Sequence, residues 1–220
     1  MDKKNNDKNK FQIIRKDARN CFVEVKRDCF SIGKVHLEFA TYDKTRPAGQ
    51  RQTNHIHIYI NIPEFLGLAQ EALSGTLHLL MQQSKKQQNK KPLYECLGGT
   101  SAERLQYYGR SRPDGKSLSR IIKLMAGDEG KADYLIVADS GPGECNLQGL
   151  IVPRFANRPE QHVAVSISWR DLNELLLTTK IHIEAWLAAQ YLADCNGKDD
   201  GMDRVSKNGK DDADDMKMFP

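Results

Sequence analysis

HIHIYINIPEFLGL, residues 55–68, changes period in its middle. Up to Asn61 it alternates, with Ile56, Ile58 and Ile60 on one side and His55, His57 and Tyr59 on the other. That is the pattern of a strand with one buried and one wet face. At Asn61 the alternation stops. Asn61 suits an N-cap, Pro63 suits the first turn, and Glu64 stands three residues after the cap, as in a capping box. Phe65, Leu66, Ala69, Leu73, Leu77, Leu80 and Met81 then recur at helical spacing and predict a helix whose apolar face covers a sheet. Strand passes into helix without a loop.

The same junction returns 107 residues later, in HVAVSISWRDLNEL (162–175). His55 falls on His162, and Ile56, Ile58 and Ile60 fall on Val163, Val165 and Ile167. Cap Asn61 meets Ser168, Ile62 meets Trp169, Glu64 meets Asp171, and Phe65 and Leu68 meet Leu172 and Leu175. Alternation, cap, cap acid and first helical apolar residues stay in register, so the chain carries an internal repeat. The second helix is expected from Arg170 to Leu192.

Upstream of each junction lie further strand-like stretches. In the first half these are Phe11–Arg15, Cys21–Arg27 and Lys34–Tyr42, the last with Val35, Leu37 and Phe39 opposite Lys34, His36 and Glu38. In the second they are Leu93–Leu97, Leu118–Met125 and Tyr134–Ala138, with Gly149–Pro153 continuing the strand before it. Ser111–Lys116 and Ser140–Gly143 read as turns. The expected class is α+β: two β4-α repeats of antiparallel strands, each sheet covered by its C-terminal helix. Residues 1–10 form a disordered basic arm. Repeat one spans 11–83, a polar basic linker 84–92, repeat two 93–193, and a disordered acidic tail 194–220.

Four antiparallel strands followed by a helix, given twice, resembles the Whirly-like single-stranded DNA-binding family. The likeness is carried by LYECLGG (93–99), GKSLSRIIKLMAG (115–127), ADYLIVADSG (132–141) and HVAVSISWRDLNELLL (162–177), and covers about residues 20–192. The family's Lys-Gly-Lys-Ala motif is not present; Ile32-Gly33-Lys34-Val35 is its nearest counterpart. The resemblance implies a sheet-borne groove for extended single strands and tetramers formed through the helices. It does not imply catalysis.

Charge points the same way. The net charge of +4 divides into −3 on residues 194–220 and +7 on residues 1–193, a basic body that suits a polyanion. Binding single strands needs cations for phosphates and aromatic faces for bases. The outward strand positions Lys34, His36, His55, His57 and Tyr59 offer both, with Tyr42, Lys44, Arg46 and Arg51 in and around the loop between those strands. The second half adds Arg104, Tyr107, Tyr108, Arg110, Arg112, Lys116, Arg120 and Lys123. Tyr107 and Tyr108 read either as stacking platforms or as a buried hairpin pair. Trp169 and Trp186 read as core or interface residues.

Other chemistry finds little. Cys21, Cys29, Cys96, Cys145 and Cys195 are odd in number and scattered, so no disulfide framework is expected. His36, His55 and His57 near Cys29 match no standard zinc spacing, and no metal or cofactor is expected. There is no P-loop, no H-E-x-x-H and no G-x-S-x-G, and no catalytic residue is assigned. No apolar run reaches about 18 residues and the first residues are polar, so a cytoplasmic protein is expected. The tip Asp211–Pro220 ends an acidic run on Met-Phe-Pro and is similar to the acidic tip of bacterial single-stranded DNA-binding proteins, which recruits partner proteins. Here Phe precedes Pro and Lys217 interrupts the acids. Single-stranded DNA or RNA is the expected partner. The competing expectations are a duplex-DNA regulator, weakened by the missing helix-turn-helix, and an oligomer-building protein with no nucleic-acid role.

Overall fold

The alternating stretches pair into two antiparallel sheets in the computed structural model, which describes residues 10–47, 49–128, 130 and 132–205. The first sheet joins β1 (Gln12–Asp17), β2 (Cys21–Lys26), β3 (Lys34–Tyr42) and β4 (Gln52–Asn61) in chain order. The second joins β5 (Tyr94–Thr100), β6 (Ser117–Ala126) and β7 (Tyr134–Cys145). The outer edge of β7 takes β8 (Ile151–Pro153) at its end and β9 (Gln161–Ile167) along the rest. Leaving β8 aside, β5-β6-β7-β9 repeats the meander β1-β2-β3-β4. The repeat holds in register as well: His55 lies opposite Ala40 and His162 opposite Asp139. The α+β class and antiparallel sheets of the sequence reading are present.

Val23, Val25, Val35, Phe39, Ile56 and Ile60 of the first sheet and Ile136, Val163 and Val165 of the second are fully or almost fully buried. Burying each such side chain contributes roughly 1.5–3 kcal/mol. The sheets meet where Cys21 Sγ donates to Ala164 O (3.2 Å) and His55 N donates to Gln161 Oε1 (3.2 Å).

The single first helix expected from Asn61 onward is two helices. α1 (Ile62–Leu73) ends at Ser74, and Gly75, with φ of 80°, takes the left-handed conformation that starts α2 (Thr76–Lys86). A short helix, α3 (Ala102–Tyr107), which the sequence reading lacked, follows β5; Ser101 Oγ caps it by accepting from Arg104 N. The last helix, α4, runs Trp169–Val205, past the expected end at Leu192 and into the tail read as disordered. Extending an existing helix avoids the cost of nucleating one. Besides the bond of α3 to its own sheet, from Ala102 N to Ser117 Oγ of β6 (3.1 Å), several hydrogen bonds run crosswise. Glu64 of α1 accepts from Tyr94 OH of β5 (2.8 Å), and Lys85 of α2 donates to Ala132 O (3.0 Å). Lys16 of β1 binds Asp171 (2.8 Å) and Glu174 (2.7 Å) of α4. These contacts tie the helices of one half to the other half, while α1 also packs on β3 and β4 of its own sheet.

Two strand expectations also change. β7 does not break at Ser140–Gly143 but continues to Cys145. Pro142 stands opposite Arg154, just past β8, and accepts from its N–H (2.8 Å); having no N–H of its own it cannot return that bond, and the β8 ladder ends there. A Cβ on Gly143 would stand 2.8 Å from both Ile151 Cγ2 and Ser119 Cβ, so the glycine there serves close packing. Ile151–Pro153 folds back antiparallel on β7 instead of continuing it.

The chain groups into two bodies, one reaching Ile183 and holding both sheets, the other beginning at Glu184 and carrying the rest of α4. All five cysteines are free. Among the described residues no helix is long and apolar enough to cross a membrane. Most of the basic arm (residues 1–9) and the tail tip Asp211–Pro220 lie outside the described residues.

Candidate nucleic-acid interface

A cleft of about 370 Å³ opens where the β3–β4 end of the first sheet meets β5, β6 and α3 of the second. Its first wall carries Ile32, Lys34, Tyr59 and Asn61; the second carries Leu97, Gly98, Gly99, Arg104 and Arg120. Each is placed for a local reason. Gly33, with φ of 73°, closes the short 3-10 turn Phe30–Ile32 and delivers Lys34 to the first position of β3. Lys34 Nζ then donates to Asn61 Oδ1 across the β3–β4 pair. Gly98 and Gly99 put no side chain into the cleft, and a Cβ on Gly99 would lie 2.3 Å from Leu118 O.

Arg120 is the most telling residue there. It sits half-buried on β6, on the same side of the strand as buried Ile122 and Leu124, and its Nη1 donates to Thr100 Oγ1 (3.0 Å). Burial lowers its pKa, countered only in part by Tyr59. Among the described residues no carboxylate comes within ion-pair distance of Arg120, Lys34 or Arg104. Three cations line one cleft; Glu64 lines it too, holding Tyr94 OH and pairing with none of the three. Tyr59, 41% exposed, supplies an aromatic face, its ring stacked on His36 at 4.7 Å and 22°.

The outer face of the first sheet is not the open wet surface that alternation suggests. His36 is only 5% exposed and Glu38 8%. His36 Nδ1 meets Asp28 Oδ1 at 3.0 Å and His36 Nε2 meets His57 Nδ1 at 2.8 Å. Glu38 holds Lys26 with one oxygen and His55 with the other. Desolvation pushes the Glu38 carboxyl up, but the hydrogen bonds from Lys26 and His55 outweigh it and leave its pKa lowered. His57 is pushed down to about 4, first by desolvation and then by the charges of His55 and His36. Buried polar groups of this kind are bound to one another and have little left to offer a phosphate or a base.

The remaining expected residues divide. Arg104, Tyr107 and Tyr108 occupy positions i, i+3 and i+4 of α3 and its cap, so they share one face. Tyr107 is 84% exposed and meets Tyr108 edge to face at 5.1 Å, which removes the buried-pair alternative. Arg110 is exposed beside them. Arg112 is spent: its guanidinium binds Asp114 and Glu160 at 2.7–3.0 Å, and both carboxylates raise its pKa. Lys123 stands 3.9 Å from Glu95 and 3.7 Å from Asp139, and Lys116 lies 4.0 Å from Glu144. Tyr42, Lys44, Arg46 and Arg51 lie in and beside the β3–β4 loop. There Lys44 Nζ sits 5.8 Å from the Tyr42 ring centroid, Arg46 pairs with Asp43 (3.5 Å), and Arg51 Nε donates to Arg46 O.

A shallower hollow of about 530 Å³ lies at Asn54, Arg158, Pro159, Glu160 and His162. It has no tyrosine or tryptophan in its lining, and its Glu160 is already held by Arg112. The sequence reading missed Asn61 as a cleft residue, the Gly98–Gly99 backbone, and the carboxylates Asp28 and Glu38. The Gly-Gly pair at the end of a strand was the available signal. Comparison with protein families, with characterised proteins and with solved structures finds no match.

Proposed function

We propose that the chain binds extended single-stranded nucleic acid, DNA in the first place, in the cleft between its two sheets. The observation that carries this reading is Arg120, a half-buried guanidinium without a carboxylate, facing a cleft with Lys34, Arg104 and the Tyr59 ring. A buried cation without a partner is costly, and an anionic ligand removes that cost. Phosphates take Lys34, Arg104 and Arg120, one base stacks on Tyr59, and the exposed Tyr107–Tyr108 pair extends the stacking surface along α3. Cations for phosphates and ring faces for bases carry no base code, so binding tolerates sequence. Arg112 and Lys123, being neutralised, play no part.

Assembly belongs to the same proposal. Leu79 and Leu80 on α2 and Leu177 and Ile181 on α4 are exposed apolar residues on the helices, which supports a homo-oligomer built through them. The tail tip Asp211–Pro220 is proposed as a contact for partner proteins on its sequence alone.

The test is competition of unlabelled single-stranded DNA, single-stranded RNA and duplex against a labelled mixed-sequence oligodeoxynucleotide. Single-stranded DNA should compete best, duplex poorly, and affinity should fall with added salt. Three phosphate contacts on a single strand give a log–log slope of about −2. Absence of binding at about 50 mM salt, where phosphate contacts are strong, would end the proposal.

A further inference from the structure

The outer face of the first sheet holds an arrangement that single-strand binding does not use. His36 and Glu38 stand two apart on β3 and so point to the same side, and the strand register puts His57 of β4 opposite Glu38. One donor atom from each, two imidazole nitrogens and a carboxylate oxygen, lie within 4.8 Å of one another. We infer that these three side chains form a binding site for a divalent transition-metal ion, with His36 Nε2, His57 Nδ1 and a Glu38 oxygen as ligands.

The geometry asks for little movement. Two nitrogens bound about 2.0–2.1 Å from one metal at a tetrahedral angle stand about 3.3 Å apart. Here they are 2.8 Å apart, so the rings must part by about half an ångström. The next shell is already built. Asp28 holds His36 Nδ1 with both oxygens, at 3.0 and 3.1 Å, the outer-shell carboxylate that fixes a ligating histidine and leaves its Nε2 bare. With Nε2 bare, the hydrogen between the two rings resides on His57 Nδ1. Metal binding displaces it, and His57 takes up a proton at Nε2 through solvent, a change of tautomer with no net proton released.

Glu38 must give up one of its two partners. His55 can keep one oxygen, while Lys26, which binds the other, already has Glu24 at 3.5 Å as a second carboxylate. Two imidazoles and one carboxylate with a fourth position open to water suit zinc, cobalt, nickel or ferrous iron better than calcium or magnesium. Asp28, Cys29 and His36 form a second such trio on the other nitrogen of His36, but using it would take away the carboxylate that orients the ring. Sequence spacing hides this site, because its ligands are neighbours across strands and not along the chain.

The test uses the full chain, stripped with a chelator and titrated with zinc ion alone against a chromophoric zinc indicator. One equivalent should bind. His57→Gln should weaken that equivalent by more than about 100-fold, beyond the 10–100-fold that loss of an outer-shell partner costs. Asp28→Asn should weaken it by about 10–100-fold, and Cys29→Ser should leave it within about threefold. Circular dichroism and the urea midpoint of each apo variant separate lost ligation from lost folding. If His57→Gln does not fold, cobalt substitution of the unmodified chain decides. A tetrahedral visible spectrum without a thiolate charge-transfer band supports the site, and a thiolate band overturns it. No zinc binding by the unmodified chain, full binding in His57→Gln, or loss of binding in Cys29→Ser overturns it as well. Failure of single-strand binding leaves this result untouched.

Discussion

Laying the second repeat on the first gives the cleft a mate, and the mate is its chemical opposite. Strand register matches Lys34 with Asp133, Tyr59 with Ser166, Asn61 with Ser168 and Arg120 with Cys21. On one side these positions hold two cations and an aromatic ring around an open cleft. On the other, Cys21 is buried with its thiol on Ala164 O, Asp133 accepts from Trp169 N at 2.7 Å, and Ser168 caps α4. The hollow at the mate position, about 390 Å³, has Asp133, Ser166 and Ser168 in its wall, and the one cation among its described lining residues, Lys85, is bound to Ala132 O. The two ends of the doubled unit share a fold and differ in the charge they present.

The junctions show the same division. Ser168 Oγ accepts from Asp171 N (3.1 Å) and donates to Asp171 Oδ2 (2.6 Å), so the second junction has a side-chain cap. The first does not, although its sequence is as good. Asn61 makes no side-chain cap bond and serves Lys34, Glu64 serves Tyr94, and Gly33 O accepts from Ile62 N.

The largest effect expected from this asymmetry is on binding. Lys34→Met with Arg120→Met should weaken single-strand affinity by about 2–3 kcal/mol, roughly 100-fold, as two charge-assisted contacts are lost. Unfolding free energy should hold or rise, because an unpaired half-buried charge is removed. Ser166→Ala on the mate side should leave affinity within about twofold, and a loss there equal to that of the double variant would refute one-sided binding.

Next in size is a pH effect confined to the first sheet. His57 has its folded pKa depressed from 6.5 to about 4. Between those values the unfolded chain binds a proton that the folded chain refuses, so stability is full above pH 6.5 and falls as pH drops toward 4. With allowance for solvent screening, the loss should be about 1–2 kcal/mol in urea titrations with chelator present. His57→Gln should flatten that leg. It should leave the loss below pH 4.5 that follows from the lowered pKa of Glu38, whose contribution is present above its ordinary value and lost in acid. An unchanged curve in His57→Gln would show that the outer-face network does not control it.

The smallest effect distinguishes the junctions. Ser168→Ala should cost about 1 kcal/mol of stability as a true cap is lost, and Asn61→Ala only a few tenths. Equal losses would mean that both caps act alike.

Strand alternation made both sheets and their pairing legible from sequence, because a buried face imposes a period of two on every strand that shares it. The second cap was legible for the same local reason. What stayed hidden was set by distant partners. Gly141, Pro142 and Gly143 carry turn residues, yet β6 and β8 pair with that stretch and keep it extended. The six residues of α3 are too few to show a helical period, and only its Ser101 cap marks it. Lys34, Tyr59, Arg104 and Arg120 were all named as candidates, but composition cannot tell them from Arg112 and Lys123. The difference is whether a carboxylate lies across the fold, as Glu160 does for Arg112 and Asp139 for Lys123.

The central claim is therefore that an unpaired Arg120 in the cleft holds a phosphate of a single strand. Its most direct measurement is the fluorescence anisotropy of a labelled single-stranded oligonucleotide titrated with the unmodified chain and with Arg120→Met across a range of salt. The unmodified chain should give a log–log slope of about −2, and Arg120→Met a weaker affinity with a slope shallower by about 0.7, one phosphate's share. Equal affinities and equal slopes for the two proteins would contradict it.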